Sequence, residues 1–336
     1  MFKGKSLASL MFGVIVITAS SSWAGPSSQD LAPFRRPIDI PFPKDNVYSS
    51  DRAALGKALF FDPRVSGNGN ITCMACHNPS FAWSDGQAKA VGAQAKTLPR
   101  HSPTLLNLAW EEHFFWDGRA PSLEAQATGP ITAPMEMNMQ LGDLVTRLKQ
   151  VQGYRTWFDR VFPGQGITEK TIPQAIATYE RTIVSGRAPF DDWVDGKETA
   201  ISESAKRGFS LFTGKAACVT CHSGWAFTDH HFHDVGLPDA DIGRGKVVPE
   251  DPLMEHAFKT PSLRNVRQRA PYMHDGSLAT IEQVLAHYIM GGEKRASLSM
   301  LIHPIELSPD DQKDLIEFLD TLNGADVPTV LPVLPR

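Results

Sequence analysis

The sequence predicts a mostly α-helical chain built as two halves with long structured loops, and three observations carry this. Apolar residues recur at helical spacing in several separate stretches, no alternating strand segment stands out, and Cys-x-x-Cys-His occurs twice. The two copies, Cys73-Met74-Ala75-Cys76-His77 and Cys218-Val219-Thr220-Cys221-His222, lie 145 residues apart, about one domain's length, and use every cysteine of the chain.

That pentapeptide is the attachment signature of c-type haem. The thiols of Cys73 and Cys76, and of Cys218 and Cys221, add to the haem vinyl groups, and His77 and His222 ligate the irons. Four cysteines in an exported chain would otherwise read as two disulfides, but a disulfide framework has no use for a histidine after each second cysteine. Two covalently bound haems, one in each half, are therefore expected.

Export is read from the N-terminus. Lys3 and Lys5 precede an apolar run, Leu7 to Thr18, and the small-residue site Ser22-Trp23-Ala24 follows. Residues 1–24 thus read as a secretory signal peptide cleaved before Gly25. The run is short for a bilayer span, and an uncleaved membrane anchor is the alternative. Without residues 1–24 two lysines and no acids leave, so the formal charge moves from -4 to -6. So mild a balance argues against a nucleic-acid surface.

Residues 25–48 are proline-rich and read as an extended arm. A helix follows with Leu55 and Leu59 on one face, Ser50 or Asp51 as its cap and Asp62-Pro63 as its stop. Gly67-Asn68-Gly69-Asn70 turns the chain into the first haem motif, and residues 78–140 read as one long structured loop region, a functional kind of segment in a compact domain. Helical spacing returns at Leu144, Val145, Leu148 and Val151, and at Ile172, Ile176, Tyr179 and Ile183; Ser185-Gly186 then closes a first domain, 25–185.

In the second domain, 186–322, Ser202 caps a helix through Ala205, Phe209 and Phe212 that Gly214 ends just before the second motif. Thr280 and Gln283 form a capping box for a helix whose stripe is Ile281, Val284, Leu285 and Tyr288. Ser308 and Pro309 open the last helix, with Leu315, Phe318, Leu319 and Leu322 as its stripe and Gly324 as its stop. Residues 323–336 form a tail, extended and proline-rich from Val327, expected to pack back on the first domain.

Longer motifs carry a resemblance. Phe115-Trp116-Asp117-Gly118-Arg119-Ala120, Leu123-Glu124-Ala125-Gln126-Ala127, Gly129-Pro130 and Glu136-Met137 stand in one block. Phe258-Lys259-Thr260-Pro261-Ser262-Leu263-Arg264-Asn265 and Ala270-Pro271-Tyr272-Met273-His274-Asp275-Gly276 stand in a second. In content and order they resemble the bacterial di-haem cytochrome c peroxidase family with its MauG branch, from about Leu55 to Leu322. The resemblance implies two cytochrome c-like domains, a peroxide-reacting N-terminal haem and an electron-relay C-terminal haem, in a periplasmic protein.

It also implies roles. Gln126, Pro130 and Glu136 would lie on the distal side of the first haem: Glu136 as the acid/base that moves a proton between the peroxide oxygens, Gln126 as an orienting hydrogen-bonding group. Taken without the resemblance, Glu136 reads as a solvated loop carboxylate. Trp116 would relay electrons between the haems, a role compatible with plain packing. The histidine with which many relatives block the first haem falls on Ala93, which cannot ligate iron, so that haem is expected to be open in the diferric state. The distal ligand of the second haem falls on Tyr288, as in the MauG branch, and a phenolate there lowers the potential. A core tyrosine, with Met290 or another methionine as the ligand, is the alternative.

Two further departures bear on partners. The tryptophan through which MauG draws electrons from a protein substrate falls on Ala216. The asparagine ligand of the family's interdomain calcium falls on His101, which puts that ion in doubt and leaves main-chain carbonyls near Arg269 and Pro271. His230, His231 and His233 read as exposed loop histidines, and His274 as structural or beside a haem propionate. The expected function is reduction of hydrogen peroxide with electrons from a small cytochrome c or cupredoxin. The alternative is a MauG-like enzyme that stores two oxidising equivalents across both haems and modifies a partner protein. A homodimer is common in the family.

Overall fold

The computed structural model describes residues 1, 26–325 and 328–336. The signal-peptide reading and the start of the tail at Val327 fall outside them. Among the described residues no helix is long and apolar enough to cross a membrane.

The fold is mostly α, with two cytochrome c-type domains. Its helices are α1 (Ser28–Leu31), α2 (Ser50–Phe60), α3 (Leu123–Thr132), α4 (Leu141–Lys149), α5 (Gln152–Val161), α6 (Thr171–Arg181), α7 (Pro189–Val194), α8 (Glu203–Thr213), α9 (Ile281–Met290) and α10 (Pro309–Asp320). The sheet of the described residues is a single antiparallel pair, β1 (Phe232–His233) and β2 (Phe258–Lys259).

Side-chain caps set most of the starts. The Ser202, Thr280 and Ser308 side chains accept from Ala205 N, Gln283 N and Asp311 N, as their sequence positions require. Three details differ from expectation. Ser49, one residue earlier than foreseen, caps α2. The Gln283 side chain reaches past Thr280 and accepts from Ala279 N at 2.6 Å, so the box is displaced by one residue. Residues 78–140 are not loop throughout: Ser122 caps α3, whose buried positions Leu123, Ala127 and Ile131 are sparse and whose last turn holds Pro130.

The two halves repeat each other. Pro103, Thr104 and Asn107 recur as Pro261, Ser262 and Asn265, an offset of 158 that also matches Trp116 to His274 and Ser122 to Thr280. Local structure repeats with the letters. Asn107 and Asn265 both take positive φ, and the bridges Phe114–Ala120 and Tyr272–Leu278 close the same turn. The hydroxyls of Thr104 and Ser262 donate to Ala82 O and Ala226 O, each at 2.6 Å. In both halves the helix before the haem motif crosses the last helix at a glycine: a Cβ on Gly56 would lie 1.8 Å from Ala175 O, and one on Gly208 would lie 1.9 Å from Asp314 O. Only a bare Cα lets the backbones meet so closely.

Each half has its own core. The first gathers Leu55, Leu59, Leu144, Leu148, Tyr154, Phe158, Ile172 and Ile176. The second is aromatic, built on Phe190, Trp193, Phe209, Phe212, Phe227 and Phe318. Each fully buried aromatic contributes about 1.5–3 kcal/mol. The chain ends cross over. Leu31 and Phe34 of the arm enter the second core, where Phe34 meets Phe209 edge to face at 5.2 Å. At the other end Leu334 packs on the first core, and Pro335 O and Arg336 O accept from Arg64 Nη2 at 3.0 Å and Gly153 N at 2.9 Å.

Candidate active site

Each haem motif is a single turn of 3-10 helix, Cys73–Ala75 and Cys218–Thr220, followed by its histidine. His77 Nδ1 donates to Trp83 O at 3.1 Å, and His222 Nδ1 donates to Phe227 O at 2.9 Å. A carbonyl only accepts, so the proton is on Nδ1 and the Nε2 lone pair is left to ligate a metal. Burial holds both rings below the ordinary histidine value, which keeps them neutral. All four cysteines are free. Burial raises the thiols of Cys73, Cys76 and Cys218, Cys76 to about 11 and Cys218 to about 12.

One cavity of about 410 Å³ runs between the halves, and both His77 and His222 line it with Cys76, Cys218 and Cys221. Cys73 stands behind its wall, packed against the first core. Free thiols, neutral histidines with Nε2 available and a shared, mainly apolar chamber fit two c-type haems.

The same cavity is lined by Trp116, Gln126, Pro130, Glu136 and Tyr288. Glu136 is therefore no solvated loop carboxylate. Burial raises its carboxyl above the usual range, and the nearby Arg119 guanidinium pulls it part of the way back. Arg119 itself lies over the Phe115 ring at 3.5 Å and pairs with Asp117. Ala93 is buried, its N–H donating to Met135 O and Glu136 O, so the residue beside the Glu136 backbone has no ligating atom. Met290 is not among the residues lining the cavity and is 70 % exposed.

Helix α3 and helix α9 are the same element in the two repeats. Ser122 and Thr280 are their caps, and counting from them Pro130 occupies the position of Tyr288. At that place one half presents a ring with no donor or acceptor to the cavity, and the other presents a phenol, whose hydroxyl burial pushes well above its ordinary value.

Between the halves, Trp116 Nε1 donates to His101 O at 2.8 Å. His274 is buried and stacks on Phe258, ring centroids 3.5 Å apart. Two backbone bonds cross reciprocally: His101 N donates to His274 O, and Lys259 N donates to Trp116 O, both at 2.8 Å. His101 and Lys259 are themselves repeat mates, as are Trp116 and His274. The His101 ring meets Gln87 O at 2.7 Å and Ser84 Oγ at 3.2 Å. A nitrogen-bearing side chain with a buried guanidinium, Arg269, nearby is a poor setting for calcium, which takes oxygen ligands.

Two clusters were not read from sequence. Lys259 and Glu111 form a buried ion pair on the cavity wall. The expectation of exposed histidines holds for His231 but fails for His230, whose Nδ1 is buried, and for His233. That residue lies on β1, meets Asp229 at 2.8 Å, is raised to about 10 chiefly by that contact, and stands near Cys221. For Lys259 and Glu111 the unread signal was the repeat, whose offset pairs them with His101 and Arg269; for His233 no sequence signal was present.

Comparison with known proteins gives one answer for both halves. Residues 50–199 match the family described as di-haem cytochrome c peroxidase, and residues 205–323 match cytochrome c. The chain is 53% identical over 324 residues to the methylamine utilization protein MauG of Methylorubrum extorquens, covering 94% of this chain and 92% of that one. It is 46% identical to the MauG of Methylophilus methylotrophus, covering 96% of each. A solved MauG-like protein associated with microbial copper homeostasis is 33% identical, with a TM-score of 0.79 over 86% of this chain and 95% of that one.

Proposed function

The chain belongs to the di-haem cytochrome c peroxidase and MauG family and carries two covalently bound c-type haems, and on that premise we propose that it is a periplasmic oxidoreductase that uses hydrogen peroxide to oxidise a partner protein in methylamine utilization. When bound, the haems supply iron centres that exchange electrons and, where a face is open, take up peroxide. His77 and His222 would hold them through Nε2, and Tyr288, on the same cavity wall, would offer its phenol oxygen to the second.

Glu136 takes the proton from the inner oxygen of peroxide and returns it to the outer one, which then leaves as water. Its raised carboxyl supports this, because a group that titrates nearer neutrality both accepts and releases a proton readily. Gln126 orients the peroxide, and Pro130 keeps the face clear. Trp116 passes electrons between the halves. In sum, two electrons from the partner and two protons convert one peroxide into two waters. We read residues 25–185 and 186–322 as the domains that hold the two haems, a division the paired cores support.

The observation that carries this reading is the contrast at one repeated helix position, Pro130 against Tyr288. A proline leaves its haem reactive and a tyrosine makes the other a relay. The runner-up is plain peroxide reduction with a small cytochrome c or cupredoxin as donor, and Ala216 favours it by offering no aromatic exit to a protein substrate. Steady-state peroxide turnover with a reduced donor of that kind separates the two. Slow turnover together with peroxide-dependent oxidation of a partner protein supports the proposal; fast turnover with no modified partner overturns it in favour of the runner-up.

A further inference from the structure

The repeat sets two cross-seam pairs side by side. Glu111 corresponds to Arg269 and Lys259 to His101, each 158 residues apart. On one side the pair is Lys259 with Glu111, opposite charges with side chains only 11 % and 8 % exposed. On the other side it is His101 with Arg269, two basic residues, and the acid is missing.

Arg269 is a buried guanidinium on the cavity wall. Its Nη2 donates to Ser262 O, and its Nε has no partner. Among the described residues Arg269 forms no ion pair, and the buried acids Asp191, Asp234 and Asp117 pair with other guanidiniums: Arg264, Arg295, and Arg100 with Arg119. Its positive charge reaches both His101 and His222 and holds each down further than burial alone. A guanidinium left in a low-dielectric interior without a counter-charge is strongly unfavourable, so the chamber is built to receive an anion there.

We propose that Arg269 binds a propionate carboxylate of a haem attached in this cavity, the cofactor supplying to Arg269 the negative charge that Glu111 supplies to Lys259. Thioether links to the cysteines would hold each haem by its vinyl edge and leave its carboxylates at the opposite edge, free to meet a buried cation. A planar guanidinium with Nε free matches a carboxylate in shape as well as charge. The inference rests on haem attachment and is independent of which oxidation the enzyme performs.

A fixed positive charge beside a haem favours the reduced iron, so its removal lowers the midpoint potential. The test uses the full haem-loaded protein, with haem content measured first and the two haems titrated separately by spectroelectrochemistry. Arg269→Gln lowers one haem's reduction equilibrium at least tenfold, which is about 59 mV for a one-electron couple, and Arg269→Lys retains most of the native value. Unchanged midpoints in Arg269→Gln overturn the proposal. Should that variant not accumulate, redox-difference infrared spectra with ¹³C-labelled propionates decide on the native protein and Arg269→Lys. A carboxylate band that moves between the two supports the contact, and one that stays fixed overturns it.

Discussion

Trp116 and His274 stand edge to face across the seam, ring centroids 6.5 Å apart and planes at 71°. They are one position of the repeat seen twice, and each loop is fastened by a backbone bond to the other half. The residue proposed to carry electrons therefore sits where backbone bonds join the halves, and its ring is held by a hydrogen bond to His101 O.

Trp116→Phe tests that placement. The smaller ring keeps most of the packing but removes the Nε1–H donor, at a cost of about 1 kcal/mol in stability. Electron exchange between the haems is expected to slow at least tenfold, read by rapid mixing after peroxide addition. An unchanged rate with the same loss of stability would leave Trp116 a packing residue only.

Glu136→Gln keeps the shape and removes the proton carrier. The peroxide reaction should fall by about 10²–10⁴-fold while the resting haem spectra stay native. The pH profile gives an independent reading. The carboxylate form is the one that accepts the proton, so activity rises with pH through the folded pKa, which burial has raised. Arg119 lowers that pKa, so Arg119→Gln should move the acid limb to higher pH. A limb that stays put or moves down would remove Glu136 from the role.

The helix position shared by Pro130 and Tyr288 gives a reciprocal pair of substitutions. Tyr288→Phe is expected to convert the low-spin ferric haem to high spin, and Met290→Leu to leave both spectra native. Pro130→His, in turn, should give the first haem a second ligand and reduce its reaction with peroxide more than tenfold. Electron paramagnetic resonance of the diferric protein reads all three, and a spectrum altered by Met290→Leu alone would mean that the ligand was misassigned.

The glycine crossings test the repeat as architecture. Gly56→Ala and Gly208→Ala each drive a methyl into a carbonyl oxygen of the facing helix, and each should cost about 3 kcal/mol by forcing the helices apart. Denaturant unfolding measures this. A neutral substitution at either site would show that the crossing yields easily.

Much of this was legible in the chain because strong local signals agree with the tertiary structure. Ser202, Thr280 and Ser308 cap where they stand, and the Phe209, Phe212 and Phe318 stripes face the core that they predict. Legibility failed where a signal was short or interrupted. Helix α3 was hidden by its widely spaced apolar residues and by Pro130, α7 spans one and a half turns, and β1 and β2 are two residues each, too short to alternate. Pairs such as Glu111 with Lys259, brought together from different halves, leave no mark in a local window. The motifs of the site were readable from the family resemblance, whereas the partners of Arg269 and His233 depend on packing alone.

The exchange of chain ends has a mechanical meaning. Phe34 lies in the core of the half to which the arm is not adjacent in sequence, and Leu334 lies in the core of the half that the tail has long left behind. The molecule is thus clasped at both ends like a belt buckled twice. A single nick between α7 and α8 would not set the haem-bearing parts adrift, because each fragment still grips the other's interior. This strapping ties the two halves together through their interiors as well as through the covalent link.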